Sequence, residues 1–157
     1  MELEQFITKD EKRKSWRRMF DDSWTEAQFE VQNKHWASVE HYLMASTFKE
    51  QDPELFGLLS LDSKSAISSD LVKAKKEVAD RKKNKVKKIH ELDPDIIREC
   101  RIEALRAKFL QNSDLTTMLV HTKMSKLDRL VQYGSPTEPD IELMKIRKEM
   151  KNARENQ

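Results

Sequence analysis

The fold of this chain is decided by the stretch Trp36-Ala37-Ser38-Val39-Glu40-His41-Tyr42-Leu43-Met44-Ala45-Ser46-Thr47-Phe48. Ser38 is a favourable N-cap residue, and the residues after it place apolar side chains at helical intervals without proline or glycine. The pattern therefore predicts a helix that begins at Val39 and has Glu40 in its first turn.

Glu40 falls near the middle of an apolar arc of that helix. At about 100° per residue, the arc contains Val39, Leu43, Met44, Thr47 and Phe48. We therefore expect Glu40 to face the core, where a partly desolvated carboxylate suits proton transfer or the stabilisation of a cation. The alternative is an acid that favours the positive end of the helix dipole or binds backbone N–H groups.

A short hairpin is predicted before this helix, near residues 28–36. Phe29-Glu30-Val31 alternates apolar and polar side chains, and Gln32-Asn33-Lys34 would turn the chain. The hairpin would bring Trp24 and Trp36 to the start of the Glu40 helix. Such aromatic rings either fill a core or stack on a flat ligand, and the residues alone leave both interpretations open.

The longest helix is predicted to begin at Asp93-Pro94, an N-cap followed by proline at the first helical position. We expect it to be the central core helix, because its apolar side chains cover more than one face: Ile96, Ile97, Cys100, Ile102, Ala104, Leu105, Ala107 and Phe109. Lys108 and Asn112 fall at its end. A buried lysine and a buried amide need partners, for which Glu40 or a ligand are the candidates.

Shorter helices are predicted after Asp52-Pro53, over Leu71 to Ala79, after Ser113, and over Ile141 to Lys151. The serine-rich stretch 60–70 favours local hydrogen bonds over regular structure. It is either a solvated connector or a loop that holds phosphate.

A basic segment over residues 81–92 begins with Arg81-Lys82-Lys83-Asn84-Lys85-Val86-Lys87-Lys88. Such a run repels itself, so we expect it to be extended or mobile. It is either solvated surface or a contact for a nucleic-acid backbone through Arg81, Lys82, Lys83 and Lys85. No aromatic residue interrupts the run, so it would supply affinity rather than sequence recognition.

Composition favours one mainly α, compact multi-helical domain over residues 1–157, with residues 1–15 as a lead-in segment. Charged residues make up 37% of the chain, which has two glycines and four prolines, too few turn residues for a β-sandwich. No apolar run approaches the ~20 residues that span a bilayer, and the acidic start is unlike a signal peptide. We expect a cytoplasmic monomer in a reducing compartment, with the single Cys100 in the core.

Catalytic constellations other than carboxylates are missing from the sequence. The four histidines do not have metal-ligand spacing, and no serine or cysteine lies in a known nucleophile motif. We therefore expect neither a metal nor a cofactor. Glycosidic chemistry can proceed on carboxylates alone.

Two blocks, Trp36-Ala37-Ser38-Val39-Glu40-His41-Tyr42 and Ala107-Lys108-Phe109-Leu110-Gln111-Asn112, resemble the two signature blocks of the NADAR family. The family patterns are roughly W-x-S-V-E-H-Y followed by K-F, and A-x-x-x-K-F-x-Q-N. The resemblance extends from about Trp16 to Met150. It implies a YbiA-like fold with Glu40 as the catalytic residue. The substrate-binding residues that it implies are Trp24, Trp36, Ser38, His41, Tyr42, Lys108, Phe109 and Asn112.

The resemblance is incomplete before the last predicted helix. YbiA-type members have a glycine-rich W-G-D-G element there, whereas this chain has Gly134-Ser135-Pro136. The chain therefore resembles a shorter branch of the family, in which Asp128 or Glu138 would have to replace the acid of that loop.

The resemblance implies an N-glycosidase. Together with the basic segment, the missing loop favours removal of ADP-ribose from a guanine base in nucleic acid, with DNA preferred to RNA as the partner. One alternative is an N-glycosidase that acts on riboflavin-pathway intermediates. Another is a helical module that binds ADP-ribose or nucleic acid without turnover.

Overall fold

The computed structural model describes residues 16–84, 90–129 and 136–156, so the predicted lead-in segment lies outside the described residues. The described chain is mainly α-helical with two small antiparallel strand pairs, which confirms the predicted fold class. Its buried apolar side chains form one hydrophobic core.

The helices are α1 (Trp16–Met19), α2 (Val39–Phe48), α3 (Pro53–Leu59), α4 (Ala66–Ser69), α5 (Leu71–Asn84), α6 (Pro94–Gln111), α7 (Ser113–His121) and α8 (Ile141–Glu155). The strands are β1 (Phe29–Val31), β2 (Lys34–Trp36), β3 (Asp128–Arg129) and β4 (Glu138–Pro139), and Leu61–Ser63 forms a 3₁₀ turn.

The predicted hairpin is confirmed as β1 paired with β2, in a register that places Phe29 opposite Trp36. Gln32 and Asn33 both have positive φ, at 56° and 62°. Two successive left-handed residues match the twist of a two-residue hairpin turn. The turn therefore brings Phe29 and Trp36 into the core together. The second hairpin, β3 with β4, was not predicted.

Helix α2 begins at Val39 as predicted, because the Ser38 hydroxyl accepts a hydrogen bond from the His41 N–H. No residue of α2 is exposed, and α2 packs against α3, α5 and α6. Its buried residues are Val39, His41, Tyr42, Ala45 and Phe48, so the buried face shares only Val39 and Phe48 with the arc that we predicted. The expectation that Glu40 faces the core is therefore wrong for the side chain as a whole, which is 32% exposed.

Helix α6 begins at Pro94 as predicted, and its second half is central to the core. That half buries a stripe that packs against β1, α2, α7 and α8. Its first two turns are largely exposed, and Ile96 is 47% exposed. The expectation that apolar side chains on more than one face are buried is therefore wrong for the first half of the helix.

Helix α5 continues to Asn84, so the predicted end at Ala79 is wrong and the basic segment begins as helix. The reason is Arg81, whose guanidinium donates hydrogen bonds to Glu77 one turn earlier and to Asp52 and Glu54 near the start of α3. These contacts fix the last turn of α5. Residues 85–89 lie outside the described part of the chain.

The serine-rich stretch forms the 3₁₀ turn and α4, so the expectation that it lacks regular structure is wrong, whereas its hydroxyls bond locally as predicted. Ser63 and Ser65 both donate to the Leu58 carbonyl, and Ser68 donates to the Ser65 carbonyl. The segment therefore forms a bonded connector between α3 and α5.

Candidate active site

The Glu40 carboxylate has one buried oxygen, Oε2, that forms no hydrogen bond. It is the one such buried side-chain atom found among the residues that the structure describes. The Lys75 ammonium lies 3.2 Å from Oε2, close enough for an ion pair but not in hydrogen-bonding geometry. Buried polar atoms are nearly always hydrogen-bonded, so this oxygen can accept a bond from a ligand or from water.

Asp21 and Asp22 connect the two sequence blocks. The Glu40 N–H donates to the Asp22 carbonyl at 2.9 Å, and the Lys108 ammonium donates to the Asp21 carbonyl at 2.9 Å. Glu40 belongs to the first block and Lys108 to the second. The structure therefore holds both blocks against the same two residues.

Lys108 is fully buried, and its hydrogen-bond partner is the backbone of Asp21 rather than Glu40. The prediction of Glu40 as its partner is wrong. Burial lowers the pKa of Lys108 to about 8, although Asp22 and Asp21 act in the opposite direction. A lysine with a pKa in this range exchanges its proton near neutral pH.

Asp21 is a candidate functional residue that the sequence analysis did not select. Desolvation raises the pKa of its carboxyl group, against the effect of Lys108 and together with that of Asp22, although the residue as a whole stays exposed. A raised pKa keeps a carboxyl group protonated to higher pH, as a general acid requires. The only sequence signal was the position of two acids between aromatic residues.

Arg101 holds the Asp21-Asp22 segment from the protein interior, and the sequence analysis did not select it either. Its guanidinium donates two hydrogen bonds to the Asp22 carboxylate, at 2.8 and 3.0 Å, and two to Asp140, at 2.8 and 2.9 Å. Asp140 also caps α8, since its carboxylate accepts from the Leu143 N–H. Arg101 thereby joins the Asp22 turn, α6 and α8 in one buried ionic cluster.

The predicted aromatic contacts lie mainly in the core. Trp36 is fully buried, its indole N–H donates to the Val31 carbonyl, and its ring meets Tyr42 edge-on at 5.3 Å. Phe109 is fully buried against Phe20. Trp24 is half-buried at the edge of the core. Each ring thus has a packing role, and ligand stacking by Trp24, Trp36 or Phe109 stays a prediction.

The Tyr42 hydroxyl is already bonded on both sides. It donates to the Glu103 carboxylate at 2.9 Å and accepts from the Gln32 amide at 3.0 Å. Burial, followed by the Glu103 carboxylate, raises the pKa of Tyr42. The phenol therefore stays protonated and connects α2 to α6 and to the hairpin turn.

Ser38 and His41 form a fully buried pair at the start of α2. The His41 Nε2 lies 2.9 Å from the Ile67 carbonyl, which requires a proton on Nε2. Nδ1 must then accept from the Ser38 hydroxyl, at 2.8 Å. Burial lowers the pKa of His41. The pair joins α2 to α4, and substrate contact by either residue stays a prediction.

Asn112 holds the end of the second block against the hairpin. Its side-chain amide donates to the carbonyls of Gln28 and Lys108, at 3.0 and 2.8 Å. Gln111 exchanges two hydrogen bonds with the backbone of Glu30. The Asn112 amide thus bonds the backbone of Gln28 and Lys108 rather than Glu40, and a ligand contact by Asn112 stays a prediction.

The basic residues predicted to contact nucleic acid have different environments. Arg81 binds three carboxylates, and Lys82 pairs with Glu91 at 2.8 Å while its ammonium lies over the Phe48 ring. Lys83 is exposed. Lys85 lies outside the described residues. Arg81 and Lys82 are thus engaged within the protein itself.

No family model, curated protein or solved structure matches this chain. The NADAR resemblance therefore rests on the two sequence blocks alone. Of the helices that the structure describes, none is long and apolar enough to cross a membrane. Within residues 16–84, 90–129 and 136–156, no three His, Cys, Asp or Glu side chains are grouped to hold a metal ion.

Proposed function

We propose that this protein is an N-glycosidase that hydrolyses the bond between ADP-ribose and a guanine base in nucleic acid. The supporting observation is the buried Oε2 of Glu40, which faces the Lys75 ammonium at 3.2 Å and has no hydrogen bond, so that it can still accept one from a ligand. The choice of ADP-ribose and guanine follows from the NADAR resemblance. The buried carboxylate oxygen supports the class of reaction.

Glycosidic bonds break through a cation-like transition state at the anomeric carbon, which two carboxyl groups can promote. Glu40 stabilises that charge and accepts a proton from the attacking water. Asp21, with its raised pKa, donates a proton to the guanine nitrogen that takes the bonding electrons. The Asp22 carbonyl accepts a hydrogen bond from the Glu40 N–H, which ties the turn that contains Asp21 to the first turn of α2.

Lys108 and Arg101 act through the same segment. Lys108 holds the Asp21 carbonyl, and Arg101 holds the Asp22 carboxylate. Both cations offset the negative charge of two adjacent aspartates, which would otherwise repel each other and the phosphates of ADP-ribose. They therefore position the acids rather than take part in the bond cleavage.

The test is to incubate the protein with an ADP-ribosylated guanine oligonucleotide and to quantify free ADP-ribose by chromatography. We expect the wild-type protein to release ADP-ribose with time and Asp21→Asn to release it at least ten times more slowly. A wild-type protein that releases none would refute the proposed activity.

A second candidate function is a module that binds ADP-ribose or nucleic acid without turnover. The observation that favours it is the exposure of Lys83 in the basic segment, because an exposed lysine can bind phosphate without any catalytic step. This module would retain the oligonucleotide in the same assay without releasing ADP-ribose.

A further inference from the structure

Three lysines on the outer face of α5 have no partner among the described residues. Lys73, Lys76 and Lys83 are exposed and form no ion pair or hydrogen bond through their ammonium groups there. At about 100° per residue they lie within one side of the helix, together with the exposed Asp80. We call Lys73, Lys76 and Lys83 the α5 lysine row.

The other cations of α5 are already engaged. Lys75 pairs with Glu40, Lys82 pairs with Glu91, and Arg81 binds Asp52, Glu54 and Glu77. A cation that already has a carboxylate partner gains less from a phosphate. The charge that α5 can offer to an external anion therefore lies in the α5 lysine row.

Helix α5 passes beside the candidate active site near its start and extends away from it. Lys75, which directly precedes Lys76, lies 3.2 Å from the Glu40 carboxylate. The buried Ala74 and Val78 fix α5 to the core. At 1.5 Å per residue, the row from Lys73 to Lys83 is about 15 Å long, enough to face several successive phosphates of one strand.

We propose that the α5 lysine row binds the phosphodiester backbone of a single-stranded nucleic acid whose modified base reaches Glu40. This inference rests on the proposed function, which it extends by a polymer-binding surface. A membrane is a poorer partner, because a helix that lies on a bilayer inserts an apolar face, and the outer side of α5 offers only the exposed Val72 while Ala74 and Val78 are packed in the core.

The experiment measures the binding of a fluorescent, unmodified oligothymidine to the full chain over a range of NaCl concentrations. Single strands give a slope of roughly 0.7 per phosphate neutralised, so three lysines contribute about 2 to the dependence of log affinity on log salt. We expect the combined variant Lys73→Gln, Lys76→Gln and Lys83→Gln to lose about that much of the slope.

Helix α8 offers a matched control in Lys145, Lys148 and Lys151, which are also exposed and closely spaced on one helix. Changing these three to glutamine removes the same net charge away from Glu40. We expect this control to keep most of the slope. Equal losses in both variants would overturn the proposal, because net charge alone would then explain the binding. Failure of the wild-type protein to bind would also overturn it.

Two further measurements separate this proposal from the proposed function and from a lipid partner. Release of ADP-ribose from ADP-ribosylated guanosine should be unchanged in the α5 variant, since this substrate has no polymer backbone. If even the wild-type protein releases none while the slopes still differ, the glycosidase fails and the surface stands. Stronger binding to phosphatidylserine vesicles than to oligothymidine, lost in the same variant, would contradict the choice of nucleic acid.

Discussion

Glu40 and Arg101 are both connected to Asp22, and they differ in how completely their charged groups are bonded. Arg101 is 4% exposed and donates four hydrogen bonds to two carboxylates. Glu40 has a buried carboxylate oxygen with no hydrogen bond. Asp22 accepts hydrogen bonds from Arg101 with its carboxylate and from the Glu40 N–H with its backbone carbonyl.

The difference separates a structural charge from a functional one. A buried charge whose bonding capacity is filled by the protein stabilises one conformation and is not available to a ligand. A buried oxygen without a hydrogen bond costs stability in the free protein; for Glu40 the Lys75 ammonium 3.2 Å away offsets part of that cost, and a ligand can donate the missing bond.

The largest effect is expected at Arg101. Replacing Arg101 with Met leaves Asp22 and Asp140 as uncompensated buried carboxylates, which should cost about 3–5 kcal/mol in the free energy of unfolding. Urea denaturation measures this loss. Arg98→Met is the control, because Arg98 pairs at the surface and should cost under about 1 kcal/mol. Similar small losses at both positions would show that the cluster around Arg101 is not structural.

At Glu40 the expected effect is on catalysis. Glu40→Gln should slow ADP-ribose release at least about a hundredfold, the usual range for a positioned acid or base, which corresponds to about 2.7 kcal/mol. The melting temperature should fall only slightly, because the variant loses a partly exposed ion pair with Lys75 and no hydrogen bond of Oε2. Glu99→Gln, on the exposed part of α6, should retain full activity. Glu40 would instead have a structural role if the Glu40→Gln variant were largely unfolded while its folded fraction released ADP-ribose at the wild-type rate.

The charged group of Lys108 is intermediate between those of Arg101 and Glu40 in its hydrogen bonding, because it is buried and forms one hydrogen bond. Its pKa of about 8 lies below the ordinary value, so between pH 8 and 10 the unfolded chain binds more protons than the folded one. The free energy of unfolding should therefore rise with pH, by about 1.5 kcal/mol between pH 8 and pH 9.5. Lys108→Met should abolish this rise. A wild-type stability that falls over this range would contradict the burial of a charged lysine.

The smallest effect is expected at His41. Burial lowers its pKa below the ordinary value, so the unfolded chain takes up the proton first as the pH falls. Stability should decline as the pH drops below about 6.5, because the imidazolium can no longer accept from the Ser38 hydroxyl. The imidazole resonances of His41, followed by NMR, should titrate at a lower pH than those of an ordinary histidine. A ring that is half protonated at the ordinary pKa would contradict its burial.

Local signals in the sequence predicted where several elements begin. Ser38, Asp52 and Asp93 each accept a hydrogen bond from a backbone N–H two or three residues later, and α2, α3 and α6 begin directly after them. A capping bond involves only neighbouring residues, so the sequence contains all that it needs. The end of α5 was predicted too early because Arg81 depends on Asp52 and Glu54, which are distant in sequence.

The orientation of α2 could not be predicted from its periodicity. A helix with apolar and small residues on every side has no distinct hydrophobic face, so several rotations about its axis fit the pattern equally well. Packing against α3, α5 and α6 fixes the rotation of α2 that buries Tyr42 and Ala45 and leaves Glu40 at the edge of the buried face. The candidate site therefore lies at the margin of the buried face of α2, whereas the sequence predicted it in the middle of that face.

The sequence by itself determined the mainly helical class, the hairpin before α2, the N-cap at Ser38 and the place of Glu40 in the first turn. Each depends on side chains and backbone groups within a few residues of one another. Only the tertiary structure decided that the Arg101 guanidinium bonds the Asp22 carboxylate, 79 residues away, and that the Glu40 oxygen stays without a hydrogen bond. Burial and ion pairing depend on which distant segments meet, and that is settled by how the whole core packs.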